Sequence, residues 1–162
     1  MTKIIIIRGN SGSGKTTLAQ ALHDQCDSSF LISQDVVRRQ MLQVDDHAGN
    51  LAINLMAELI EFGRLHFDVV ILEGILRQDV YRELLQSVLT KFDIVIPVYY
   101  DLPLTETISR HRTKRFVSFT ESDVAKWYRK NDYLGWPDEI IFNQTITLKQ
   151  AMAAIMQRIN HQ

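Results

Sequence analysis

The sequence predicts an α/β fold, a parallel β-sheet with helices packed on its faces. Two observations predict it. Short apolar, β-branched runs alternate along the chain with longer amphipathic stretches, the order of successive βαβ units. The first of those runs leads directly into a glycine-rich turn, Gly9-Asn10-Ser11-Gly12-Ser13-Gly14-Lys15-Thr16, which opens an amphipathic segment.

Residues 3–8, with four consecutive isoleucines, read as a first strand of the kind buried on both faces of a parallel sheet. Residues 16–26 follow as a helix, with Leu18, Ala19, Leu22 and Cys26 at helical spacing. Residues 30–33 give a second strand, 36–42 a helix, and 50–64 a long amphipathic helix. Residues 68–72 form the third strand, followed by a helix over 79–91. The fourth strand spans 94–100, where the internal Pro97 marks a bulge or an edge. Helices over 104–112 and 121–130, a short fifth strand at 140–142 and a closing helix over 148–159 complete the chain. No repeat, low-complexity tract or linker interrupts this order, so a single domain over residues 1–162 is expected.

Composition narrows the function classes. The 162 residues carry 18 Lys and Arg against 19 Asp and Glu, a formal net charge of −1. A protein living on nucleic-acid backbone or anionic lipid carries a basic excess, so a general nucleic-acid role is disfavoured. A local basic site stays open. Cys26 is the only cysteine, which excludes an intrachain disulfide and a thiol zinc cluster. The isoleucine run is too short for a signal segment or a membrane span. The expected setting is cytoplasmic, with no membrane partner.

The glycine-rich turn matches G-x-x-x-x-G-K-[ST] at every fixed position. Its glycines let successive backbone N–H groups point inward at phosphate oxygens, and the following helix adds its positive N-terminal end. The motif therefore predicts a triphosphate cradle from Gly9 through Thr17. Lys15 would reach the β- and γ-phosphates, and the Thr16 hydroxyl would sit on Mg²⁺. ATP and Mg²⁺ are the expected cofactors.

Ligands of an open parallel sheet lie at the carboxyl ends of its strands. Strand two ends at Ser33-Gln34-Asp35, strand three at Glu73-Gly74 and strand four at Asp101, so three carboxylates face the phosphate rim. Glu73 reads either as the acid that serves the metal shell and orients Thr16, or as a cap on the loop after its strand. Asp35 reads either as a general base for an attacking hydroxyl or as the N-cap of the helix after it. Arg38 and Arg77 read as acceptor contacts or as solvated arginines, and Asp101 as a turn residue.

Residues 110–115 carry Arg110, Arg112, Lys114 and Arg115, four fixed positive charges in six residues. They read as a lid over residues 110–136 that stabilises charge on the transferring phosphoryl group, with Arg112 and Arg115 as its contacts and Arg110 beside them. The plain alternative is a solvated face helped by the helix dipole. The aromatics beyond it (Phe116, Phe119, Trp127, Tyr128, Tyr133 and Trp136) either stack on an acceptor or pack a helical flap.

Together, residues 4–9, the full glycine-rich loop, residues 33–38, residues 70–74 and the basic lid resemble the small P-loop kinases, a group that includes gluconate kinase, chloramphenicol phosphotransferase, zeta toxin and the kinase domain of phage polynucleotide kinase. The resemblance implies a three-layer P-loop NTPase fold with a five-stranded parallel sheet of order 2-3-1-4-5 and a helical lid over ATP. It implies an aspartate base at Asp35, an acceptor-binding arginine at Arg38, and an adenine near Asn143-Gln144-Thr145. Glu73 stands where many relatives have aspartate. No gluconate or nucleoside signature is present.

The expected activity is transfer of the γ-phosphate of MgATP to a hydroxyl of a small-molecule acceptor. A nucleic-acid 5′-hydroxyl kinase and a non-catalytic ATP-binding regulatory module are the alternatives. The first would use the basic and aromatic residues 110–136 on a single strand. The second would need neither Asp35 nor the basic lid.

Overall fold

The computed structural model describes residues 1–160. Five strands, β1 (Lys3–Gly9), β2 (Ser29–Ser33), β3 (Val69–Gly74), β4 (Ile94–Tyr100) and β5 (Ile140–Phe142), pair in parallel in the order β2-β3-β1-β4-β5. That is the sheet and the order the resemblance implied. Successive side chains of a strand point to opposite faces, and here both faces are covered. Ile5 and Ile7 join a core with α1 (Lys15–Gln25) and α6 (Leu148–Asn160), while Ile4 and Ile6 join another with α2 (Leu51–His66) and α3 (Gln78–Val88). The isoleucine run is therefore buried end to end.

The helices bury the stripes that their spacing dictates. Ala52, Met56, Ile60 and Gly63 line the inner face of α2, and Tyr81, Leu84, Leu85 and Val88 that of α3. Asn50 caps α2 by accepting from the Ala52 N–H at 3.0 Å. Gly63 allows α2 to lie close on the sheet, since a Cβ there would come within 2.8 Å of Phe30 and Val70 side-chain atoms. Pro97 is tolerated because β5 pairs only from Val98 onward, leaving β4 without a neighbour on that side at the proline.

Several expected boundaries shift, the helix expected over 79–91 ending at Val88 and that over 50–64 running on to His66. Strand β3 runs to Gly74 rather than stopping at residue 72, so Glu73 lies within the ladder opposite Ile7 and Ser33. The helix expected over 121–130 is α5 (Glu121–Trp127), shorter because the Arg129 N–H and C=O both bond to the side chain of Asn10. Residues 36–42 do form a helix, but a wide π-type one, with the Gln43 N–H reaching back to the Arg38 carbonyl. Helix α4 (Leu104–Arg112) has the expected bounds. None of the helices described is long and apolar enough to cross a membrane.

Candidate active site

The site gathers at the carboxyl ends of β1, β2 and β3. Gly9 closes β1, and Asn10 to Gly14 curl over the start of α1. Gly12 has φ +80° and lies so close to α4 that an added Cβ would meet the Thr107 carbonyl oxygen at 2.6 Å. Only glycine fits there. A cavity lined by Gly12, Ser13, Gly14, Lys15, Thr16, Thr17 and Lys114 marks the cradle. Ser11 sits half-buried on its rim.

The Lys15 ammonium is buried inside the loop, donating to the Asn10 carbonyl at 2.8 Å and to the Ser13 hydroxyl at 3.2 Å. Burial pushes its pKa down to about 8; the negative charges of Glu73 and Asp35 resist the shift, and Lys114 adds to it. Glu73, only 3% exposed, accepts from the Ser33 hydroxyl at 2.5 Å and from the Thr16 hydroxyl at 3.4 Å. It caps no loop. A buried carboxylate whose hydrogen-bond partners are hydroxyls alone suits a divalent cation held with Thr16.

Asp35 is not an N-cap. Its backbone is already helical (φ −64°, ψ −39°) and its side chain makes no capping bond. The carboxylate is 57% exposed and lies 3.7 Å from Arg38 and 3.4 Å from Arg39. Those arginines open into a second cavity of about 600 Å³, lined also by Asp45, Asp46, Arg77, Phe119, Asp123 and Trp127. Asp35 thus lies beside two arginines of that cavity, and its charge also acts on Lys15. Arg77 lines the cavity while its guanidinium is paired with Asp79 at 2.5 Å.

The basic run divides. Arg110 donates to the Ser13 carbonyl at 2.9 Å and to the Gln144 carbonyl at 3.3 Å, and Glu106 holds it in place at 2.7 Å. It thereby joins the phosphate loop to the segment around Asn143 that the resemblance singled out. Arg112 does not reach the cradle; it is paired with Glu121 at 2.6 Å, at the start of α5, and is 67% exposed. Arg115 is exposed and away from the cavity walls. Lys114, which the sequence did not single out within the run, is the lid cation that lines the cradle.

The aromatics divide too. Phe119 and Trp127 meet edge to face at 5.3 Å and line the cavity, with the Arg39 guanidinium over both rings at 5.2 and 5.3 Å. Trp136 packs on the core, Tyr128 bonds the Leu102 carbonyl, Tyr133 bonds Asp101, and Phe116 is 96% exposed. Sequence reasoning passed over Arg39, although it lies one helical turn from Asp35. It also passed over Arg8, whose fully buried guanidinium bonds the Leu76 and Asp132 carbonyls and the Asp132 carboxylate. A lone arginine ending an isoleucine run was the available signal.

A sequence profile of the AAA domain family matches residues 4–131, the stretch that holds the cradle, Glu73, Asp35 and the basic run. The chain belongs to the AAA domain family. Its fold is shared with solved structures that include kinases. A gluconokinase from Sinorhizobium meliloti superposes with a TM-score of 0.70 at 15% identity, over 98% of this chain and 92% of that one. The tunicamycin resistance protein of Deinococcus radiodurans gives 0.68 at 18%, over 99% and 96%. The APS kinase of Mycobacterium tuberculosis, solved with AMPPNP and APS, gives 0.67 at 16%, over 98% and 97%. At such identities the likeness is one of fold. No curated protein matches the chain by sequence.

Proposed function

We propose that this AAA-family chain is a kinase that transfers the γ-phosphate of MgATP to a hydroxyl of a small-molecule acceptor. The observation that carries the proposal is Asp35, an exposed carboxylate beside two arginines of a separate cavity large enough for a small molecule, whose charge is also felt by Lys15 of the phosphate cradle. A nucleotide-binding module that does no chemistry has no use for that arrangement.

The geometry supports the following roles. The backbone N–H groups of residues 10–15 bind the phosphates, and Lys15 leaves its loop partners for the β- and γ-phosphate oxygens. Thr16 and Glu73, whose side chains meet at 3.4 Å, would hold Mg²⁺, which would supply positive charge to offset that of the phosphates. Asp35 accepts the acceptor's hydroxyl proton and aims its oxygen at the γ-phosphorus. Lys114 and Arg110 lie on the cradle side, where charge develops on the transferring group. Arg112 and Arg115 would join them only if the lid closed further. Arg39 lies over one face of Phe119 and one of Trp127 and competes there with stacking of a nucleic-acid base.

The test is a screen for acceptor-stimulated ADP release across sugar acids, polyols, nucleosides, antibiotics and 5′-hydroxyl oligonucleotides. Lys15→Ala should lose transfer with every acceptor. Asp35→Asn should bind MgATP normally yet turn over roughly 10²- to 10⁴-fold more slowly. A wild-type rate in Asp35→Asn would remove that residue from the mechanism.

A further inference from the structure

Resting on that kinase reading, we infer that Arg39 is a positioning residue, the link through which the lid holds the carboxylate of Asp35. That carboxylate caps no helix and accepts no hydrogen bond among the described residues. It is flanked instead by two guanidinium groups, and the closest approach of each is to the same oxygen, Oδ1. The two arginines are secured from different directions. Arg38 Nη1 donates to the Val44 carbonyl at 3.0 Å, so its own segment of chain restrains it. Arg39 makes no hydrogen bond among the described residues. Its guanidinium lies over the rings of Phe119 and Trp127, at 5.2 and 5.3 Å, and both rings belong to the lid.

An exposed ion pair is weak because long side chains must give up rotamer freedom to keep it. Val44 removes that freedom from Arg38, and only the lid rings remove it from Arg39. With the rings withdrawn, Arg39 returns to solvent and Oδ1 keeps one arginine in place of two. The carboxylate then turns more freely about its Cβ–Cγ bond. A general base acts only within hydrogen-bond reach of the proton it takes, so that loss of aim slows transfer without touching the nucleotide. The rings are tied in turn toward the phosphates. Phe119 stacks on His111 of α4 at 5.2 Å, and the preceding residue, Arg110, donates to the Ser13 carbonyl. A continuous run of contacts thus joins the phosphate loop, the lid and Asp35, and Arg39 is its last member.

The experiment reads the contact and the rate separately. The chain has two tryptophans, so protein grown on 5-fluorotryptophan gives two ¹⁹F resonances, assigned with Trp136→Phe. With Mg-AMPPNP at saturation, Asp35→Asn should move the Trp127 resonance when Arg39 is present and leave it in place in Arg39→Gln. Rates follow on the acceptors that the ADP-release screen returns. Arg39→Gln and Trp127→Leu should each lower kcat about 10-fold, with KM for ATP changed less than about threefold, and the double variant should be no slower than the slower single one. Arg39→Lys keeps the charge and the ring contact but not the planar fork, and should regain part of the rate. A Trp127 resonance that ignores Asp35→Asn, or moves equally with and without Arg39, overturns the inference. So do losses that multiply in the double variant. A resonance coupled through Arg39, with no ADP release from any compound, upholds the link and counts instead against the kinase reading.

Discussion

The guanidinium of Arg8, fully buried at the end of β1, lies 2.7 Å from the carboxylate of Asp132, and its Nη1 lies 3.6 Å from Glu139. Tyr99 covers it at 5.5 Å. With the paired bonds between Asn10 and Arg129, both 2.7 Å long, this ties residues 129–139 to the base of the phosphate loop. Removing one member of such a pair strands a buried charge. Asp132→Ala should therefore lower unfolding free energy by about 3 kcal/mol, read from urea denaturation.

Lys15 makes nucleotide binding and stability depend on pH in a stated direction. Its pKa of about 8 in the folded chain lies below the 10.5 of a free lysine. Between those values the unfolded chain holds more protons, so this group makes stability rise with pH across that window and is a constant burden below it. Lys15→Met should be more stable than wild type at pH 7, with the gap closing as pH approaches 10.5. Phosphate binding favours the ammonium, so MgATP binding at pH 8.5 should take up a proton. Calorimetry in buffers of differing ionisation enthalpy reads that uptake.

Gly12 separates backbone strain from a clash. Gly12→Ala places a Cβ 2.6 Å from the Thr107 carbonyl at φ +80°, whereas Gly49, at φ +74°, has nothing within 4 Å of its Cβ. Gly49→Ala should cost about 1 kcal/mol, the penalty of a left-handed backbone alone. Gly12→Ala should cost more, about 2–3 kcal/mol, and should also weaken MgATP binding by displacing the loop from α4. Thermal unfolding and nucleotide titration of the two variants distinguish these effects.

The lid cations should rank by their reach. Lys114→Ala and Arg110→Ala should each lower kcat/KM for ATP about 10-fold or more, because one lines the cradle and the other is bonded to its backbone. Arg112→Ala, which removes only an exposed pair with Glu121, should have a smaller effect on steady-state kinetics.

Much of this was legible in the residues. The isoleucine run, the glycine-rich loop and the alternation of periods specify the strands and helices because each is local chemistry. Strand order came from resemblance, since pairing of β1 with β3 and β4 is set by contacts distant in sequence. Glu73 could be placed at a strand end, but its hydroxyl partners come from Ser33 and Thr16 on other elements. Arg39 and Lys114 were hidden for a different reason. Each sits beside a more conspicuous arginine, and its direction depends on the phase of a helix or loop. In the π-type helix of residues 36–42 that phase departs from ordinary helical spacing.

The flap over the cleft is hung from one side. Its far limb is anchored through Arg8 and Asn10, whereas residues 112–118 are exposed throughout and carry little beyond the Arg112–Glu121 contact. A dilute protease should nick this near limb first and leave two fragments that stay associated, because the sheet and the anchored limb are held independently of it. Ligands that draw Lys114 down onto a phosphate should slow that cleavage, which gives a readout of closure that needs no turnover.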